Sequence, residues 1–327
     1  MIDVVIPLYN CAPFIETTIR SVQHQTVPVR KIIVVNDGST DGGEKKVAAM
    51  AATDERICVL NGPNRGLSAA RNLGIQIAKA RYLAFLDADD AWEPEKVASQ
   101  LAVMDKGDFS FSHTGARLMD ESGKPMGNVP FPIQTTVAPT FENIRLGIYP
   151  VTGSGSSVMV RRELLERAGG FDEKLRFGED WDMWARLAQF GPAIRLDQPL
   201  TWIRVRQSSM QHSLSAEKRA LCQLDCRIHV ARHWENEPAF LQAHKKEACY
   251  DLWAVMRWRL LRPSSLLELY RHLHLHPYAA GRILARHPGD FLHVLGWGCA
   301  ETVRSILHSP SEAKRLLRRF LAERRRK

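Results

Sequence analysis

Three clusters of acidic residues hold the side chains best placed for chemistry. The stretch Val34-Val35-Asn36-Asp37-Gly38-Ser39-Thr40-Asp41 closes a β-branched run with a carboxylate and a glycine turn. A carboxylate there can accept hydrogen bonds from a base or a ribose, while Asp41 suits the cap of the next helix. Phe85-Leu86-Asp87-Ala88-Asp89-Asp90 crowds three carboxylates at the end of an apolar run. Like charges so close raise one another's pKa unless a cation sits among them. An oxygen-only donor set suits Mg2+ or Mn2+, ions that keep water and substrate phosphates in their shell. Asp90 and Glu93, with Pro94 following, also have the spacing of a helix cap and its N3 acid. That reading leaves Asp87 and Asp89 over. The third cluster, Gly178-Glu179-Asp180-Trp181-Asp182, follows Gly169-Gly170-Phe171-Asp172. Its acids either face a helix dipole or include a general base within reach of a hydroxyl, with Trp181 offering an aromatic face.

Alternating strand and helix patterns set the first two clusters at strand ends. Apolar or β-branched runs fall at Ile2–Ile6, Lys31–Val35, Ile57–Leu60, Tyr82–Leu86 and Phe109–His113. Helical patterns fall at Pro13–His24, Gly43–Ala52, Leu67–Ala80 and Pro94–Met104. This alternation predicts an α/β fold with a largely parallel sheet buried on both faces. Ligands bind such sheets beyond the carboxyl ends of the strands. Residues 120–157 read as loops. Helical patterns return at Arg161–Ala168 and Glu179–Phe190, Ala193–Arg206 reads as extended, and from Ser215 the pattern is helical, broken near Pro238, Pro263, Pro277 and Pro288. A domain boundary near 213 follows, giving domains over 1–213 and 214–327, with no internal repeat.

Five stretches resemble, in order, the family 2 glycosyltransferases of GT-A fold: Val4–Asn10, Ile33–Asp41, Asn64–Asn72, Tyr82–Asp90 with Trp92 and Pro94, and Gly169–Asp182. They cover about 1–205, and their order and spacing make the match specific where any one alone is weak. The resemblance implies a Rossmann-like nucleotide-diphospho-sugar transferase domain followed by a helical C-terminal region. It implies that Asp37 binds the uracil of a UDP-linked donor in a pocket lined by Pro7 and Tyr9. Asp89 would hold the Mn2+ or Mg2+ that bridges the donor phosphates, with Asp90 near the metal and Asp87 toward the ribose. Arg71 and Arg65 would sit by the nucleotide. Asp180 would be the general base, with Glu179 beside it and Trp181 on the acceptor side, where Gly153-Ser154-Gly155-Ser156-Ser157 would shape the cleft. Asn36 departs from the family, which usually has an acid there; Asp37 is retained. The absence of a Q-x-x-R-W motif and of a membrane span argues against processive elongation.

The implied reaction follows from charge. Negative charge builds on the departing nucleoside diphosphate, and a metal at Asp89 stabilises it. Asp180 deprotonates an acceptor hydroxyl, which attacks the anomeric carbon from the opposite face, with inversion and no covalent intermediate. The acceptor expected is a glycan or lipid-linked oligosaccharide in cell-surface polysaccharide synthesis. Two rival readings remain: a sugar nucleotidyltransferase, and a non-enzymatic nucleotide- or lipid-binding module.

Composition narrows the setting. The 327 residues are 45% hydrophobic and 25% charged, an ordinary globular balance. No apolar run approaches the roughly 20 residues that span a bilayer, and the N-terminus lacks the pattern of a signal peptide. Six scattered cysteines without C-x-x-C predict reduced thiols in a cytoplasmic protein. The net charge of +9 is uneven: residues 1–250 hold 30 basic and 30 acidic side chains, residues 251–327 hold 15 and 6. Uniform nucleic-acid binding is therefore disfavoured. The last segment opens with the helix-start signal Ser309-Pro310-Ser311-Glu312. A helix there would group Leu316, Leu317, Phe320 and Leu321 against Lys314, Arg315, Arg318, Arg319 and Arg324–Lys327. The pattern suits either peripheral docking on an anionic membrane through 311–327 or an apolar stripe packed on the rest of the C-terminal region. His212 reads as a loop histidine or a metal contact, and His272, His274 and His276 would not share a helical face.

Overall fold

The structure is a computed structural model that describes residues 1–126, 138–149, 151, 155–206, 214–259, 269 and 273. The chain divides into two compact units, Met1–Ser215 and Ala216–Lys327.

The first unit is an α/β domain. Its opening half alternates β1 (Ile2–Leu8), α1 (Ile15–Gln23), β2 (Lys31–Asp37), α2 (Gly43–Ala51), β3 (Ile57–Gly62), α3 (Leu67–Ile77) and β4 (Tyr82–Phe85). Then come β5 (Ala91–Trp92), α4 (Lys96–Met104), β6 (Phe111–Met119), α5 (Phe141–Arg145), a 3-10 turn over Gly155–Ser157, β7 (Val158–Arg161), α6 (Arg162–Arg167), α7 (Glu179–Ala188) and β8 (Ala193–Arg204). One eight-stranded sheet runs β3-β2-β1-β4-β7-β6-β8-β5. Strands β1 to β4 are mutually parallel. The sheet is less uniformly parallel than the sequence pattern predicts, because β7 enters antiparallel between β4 and β6 and β5 closes antiparallel on β8.

The parallel strands read as unbroken apolar runs because both of their faces are covered. Ile2, Val4, Ile6 and Leu8 pack with Ile15, Ile19 and Val22 of α1 on one face. On the other, α3 approaches so closely that a Cβ at Gly74 would lie 2.4 Å from Val5 Cγ1, so only glycine fits there. β1 continues past the Ile2–Ile6 run of the sequence: Pro7 pairs with Val35 and the strand runs on to Leu8. The reason is geometric. Val5 turns its carbonyl toward the β4 side, where it accepts from Leu86 N–H. Alternate residues face the same neighbour, so Pro7 presents its missing N–H to that side, beyond the last residue of β4.

In the second unit, α8 (Ala216–Ala231), a 3-10 turn (Arg232–Trp234) and α9 (Pro238–Arg259) are helical. Leu224, Ile228, Phe240, Ala248 and Val255 are buried, and Arg227 pairs with Asp251. Among the described residues no helix is long and apolar enough to cross a membrane. The basic segment 311–327, His212, the 272–276 histidines, Gly153 and Ser154 lie outside the described residues.

Candidate functional site

The carboxyl ends of parallel strands β1, β2 and β4 share one edge of the sheet, and the acidic clusters gather there. After β1, Tyr9 is half exposed and Pro7 buried. Asn10 takes the left-handed backbone (φ 48°) and clasps the β2 turn: its Oδ1 accepts from Thr40 N–H at 2.9 Å, and its own N–H donates to Ser39 Oγ at 3.2 Å. Asp41 holds the start of α2, accepting from Gly43 N–H at 3.0 Å, and also accepts from Ala12 N–H at 2.7 Å.

Asp37 is buried at the end of β2, and its carboxylate organises the loop before α3. Oδ1 accepts from Arg65 N–H and Oδ2 from Gly66 N–H, each at 2.8 Å. Asn36 accepts from Ser39 N–H at 3.0 Å and donates to Asn61 Oδ1 at 3.0 Å. A cavity of about 130 Å³ opens beside Asp37, lined among others by Asn36, Pro63, Arg65, Asn72 and Glu173. Arg65 is largely exposed and pairs with Glu173 at 2.9 Å. Asn72 exchanges hydrogen bonds with the backbone of Phe171, docking the 169–173 loop on α3.

The three carboxylates after β4 part ways. Asp90 turns inward, where Oδ2 accepts from Ser156 Oγ at 2.6 Å and Oδ1 from Arg204 N–H at 2.9 Å. Burial, then the charges of Asp89 and Asp87, push its pKa well above the usual carboxylate range. It is not a helix cap: α4 begins only at Lys96, and Glu93 accepts from Trp202 Nε1 at 2.9 Å instead. Asp89 keeps a partly exposed carboxylate whose Oδ2 lies 2.6 Å from Arg206 Nε, in charge contact though not aligned as a hydrogen bond. Burial raises its pKa, and Arg206 opposes that shift. Asp87 is partly exposed and pairs with Arg71 at 2.8 Å. The loop is pinned from two sides: Thr18 Oγ1 lies 2.9 and 2.8 Å from the carbonyls of Ala88 and Asp90, and Arg204 Nε donates to the carbonyl of Asp89 at 2.8 Å.

Glu179 and Asp180 open α7, near the positive end of its dipole. Burial, and then Glu179, push the Asp180 pKa up to about 6, while Arg71 pulls it down. Trp181 donates its Nε1 to the carbonyl of Ile144 at 2.7 Å, so its polar edge ties α7 to α5. Arg71, expected beside a nucleotide, is fully buried and bridges Asp87 and Glu179 at 2.8 Å each.

Thr18, Ser156, Arg204 and Arg206 join this site without a motif of their own. Ser156 alone carried a signal, in the glycine-rich segment, and the others enter through contacts across more than 60 residues of chain. Among the described residues no three His, Cys, Asp or Glu side chains converge as a metal-ligand set. Asp87 and Asp89 are hard oxygen donors with an open side, a fit for an ion that takes its other ligands from water and phosphate.

The family model for glycosyl transferase family 2 matches residues 3–169. Over 213 residues the chain is 33% identical to RC0461 of Rickettsia conorii, an uncharacterised glycosyltransferase, in a match covering 62% of this chain and 33% of that protein. It is 39% identical over 127 residues to a Bacillus subtilis glycosyltransferase named for teichuronic acid biosynthesis, TuaG, covering 38% of this chain and 50% of the relative. The chain thus spans from a third to half of the length of these relatives. The crystal structure of S. aureus TarS 1-349 with UDP superposes with a TM-score of 0.60 at 18% identity, covering 84% of this chain and 81% of that one, a likeness of fold.

Proposed function

The chain belongs to glycosyl transferase family 2, and on that premise we propose that it moves a sugar, with inversion, from a nucleotide-diphosphate donor to a glycan or lipid-linked acceptor in polysaccharide synthesis. The supporting observation is that one buried cation, Arg71, ties partly exposed Asp87 of the loop after β4 to Glu179 at the start of α7, beside high-pKa Asp180, while Asp89 of the same loop keeps a partly exposed carboxylate.

In this reading the donor lies over the ends of β1, β2 and β4, with its base toward Pro7, Tyr9, Asp37 and Arg65. Asp89 would hold Mn2+ or Mg2+, which would supply charge stabilisation to the leaving diphosphate when bound, with Asp87 toward the ribose. Asp90 supports the loop from behind. Asp180 takes the proton of the acceptor hydroxyl; a carboxyl titrating near 6 is basic enough to do so and still ionised at neutral pH. Trp181 fixes the segment on which the acceptor would rest. Peripheral contact with an anionic membrane through 311–327 completes the proposal for a cytoplasmic enzyme.

The test is incubation of the full chain with a panel of UDP- and GDP-sugars, with Mn2+ or Mg2+, and analysis of the products. Release of a nucleoside diphosphate supports transfer. Pyrophosphate in its place would point to a sugar nucleotidyltransferase, and no turnover, with binding retained, to a binding module. Sedimentation of the protein with anionic liposomes at low salt, with and without residues 311–327, tests the membrane contact; equal sedimentation sinks it.

A further inference from the structure

Arg71 stands in α3, on the helix that follows the Asp37-organised loop. Its guanidinium is fully buried and donates from Nη2 to Asp87 Oδ1 and from Nη1 to Glu179 Oε1, both at 2.8 Å. Those carboxylates come from segments 92 residues apart in the sequence, one ending β4 and the other opening α7. The cation also lies 5.2 Å from the Phe171 ring centroid, and Phe171 is itself held by Asn72, one residue along α3. Burial disfavours the charged form, but Asp87 and Glu179 outweigh it and hold the guanidinium pKa above its ordinary value. A buried charge so paired is costly to break, because removing it strands two carboxylates.

Room for this cation is built in. A Cβ on Gly155 would stand 3.0 Å from Nη2 and 3.4 Å from Cζ, so any side chain at that point would crowd the guanidinium against the 3-10 turn. The next residue, Ser156, accepts from Asp87 N–H at 3.0 Å and donates to Asp90. The glycine-rich segment and Arg71 therefore grip the same strand-end loop from two directions.

We propose that Arg71 is a positioning residue that sets the donor-side carboxylate Asp87 and the base-bearing start of α7 in one fixed geometry, and that Gly155 is the clearance this requires. The proposal rests on the function proposed above. It assigns Arg71 no nucleotide contact, since no part of its side chain is exposed. Two consequences separate this role from a merely structural one. Arg71 donates to the two carboxylates from separate nitrogens of a rigid fork, so Lys, with a single nitrogen, cannot reproduce both contacts with the carboxylates in place. The charge also bears on Asp180, which is faced by Glu179 on α7, by Arg71 from α3 and by Asp87 after β4.

The experiment compares wild type, Arg71→Lys, Arg71→Met and Gly155→Ala in the full chain. It records kcat and KM for the donor the wild type uses, the pH dependence of kcat, and UDP affinity by calorimetry. Arg71→Lys and Gly155→Ala should lose roughly tenfold or more in kcat through misplacement, with UDP affinity within about threefold and the acidic limb unmoved. Arg71→Met should in addition move that limb to higher pH by about one unit, since loss of a nearby cation raises a carboxyl pKa. If Arg71→Met does not fold, the other two variants decide. UDP affinity falling in step with kcat would overturn the proposal in favour of a direct nucleotide contact, and wild-type kcat in Arg71→Lys and Gly155→Ala would overturn it outright. Absence of turnover in the wild type would instead overturn the proposed function, and this inference with it.

Discussion

Ser156 Oγ lies 2.6 Å from Asp90 Oδ2 and, through the same atom, 3.0 Å from Asp87 N, so one hydroxyl joins a turn before β7 to both ends of the acidic loop after β4. Replacing it with alanine leaves Asp90 Oδ2 and the Asp87 N–H short of a partner in a buried place. Ser156→Ala should cost about 1–3 kcal/mol, seen as a fall in Tm of a few degrees. An unchanged Tm would show that water replaces the hydroxyl without loss.

Asp180→Asn should leave donor binding intact and reduce transfer by at least about a hundredfold, the lower range of a general base contribution. In the wild type the acidic limb of kcat should have its midpoint near pH 6, because the base must be ionised and burial with Glu179 lifts its pKa to about 6. A flat profile from pH 5 to 8 would place the base elsewhere.

His113 is fully buried on β6, with Nε2 2.8 Å from the Tyr149 hydroxyl. Burial, aided by the Arg195 charge, pushes its pKa down to about 3. The folded state thus binds fewer protons than the unfolded chain below the ordinary histidine value of about 6.5. The stability His113 contributes is present above that value and is lost as pH falls toward 3, by up to about 1.4 kcal/mol per pH unit. His113→Gln should show a shallower fall in Tm between pH 6.5 and 4; a parallel fall would contradict the assignment.

Arg206 competes with any cation that Asp89 holds, since its Nε stands 2.6 Å from Oδ2. Arg206→Gln should tighten Mn2+ binding severalfold, a modest part of the few kcal/mol that two charges exchange at this range in a protein surface environment. Titration of free Mn2+ by electron paramagnetic resonance measures this directly. Equal affinity in both proteins would mean that the ion does not use Asp89.

The strands most legible in the sequence were β1 to β4, because parallel strands buried on both faces leave unbroken β-branched runs such as Lys31–Val35. β7 and β5, with four and two residues, are too short to show a period, and with them the antiparallel pairings of the sheet were hidden. Asp37, Asp87 and Asp180 were visible as acids at strand and helix ends. The inward turn of Asp90 was not: its spacing to Glu93 suggested a cap, whereas Ser156 and the backbone of Arg204, both far away in sequence, claim its oxygens. The burial of Arg71 was equally hidden, since a lone arginine on a helix carries no sign that carboxylates at 87 and 179 will pair with it.

Asp37 directs both carboxylate oxygens to main-chain N–H groups of residues 65 and 66. A donor bound as proposed would meet a mould cast from the path of the backbone, with the carboxylate as its inner armature. Side-chain exchanges along 63–66 would repaint that mould without recutting it. Insertions and deletions would recut it, so divergence in what the site accepts should track the length of this loop more closely than its letters.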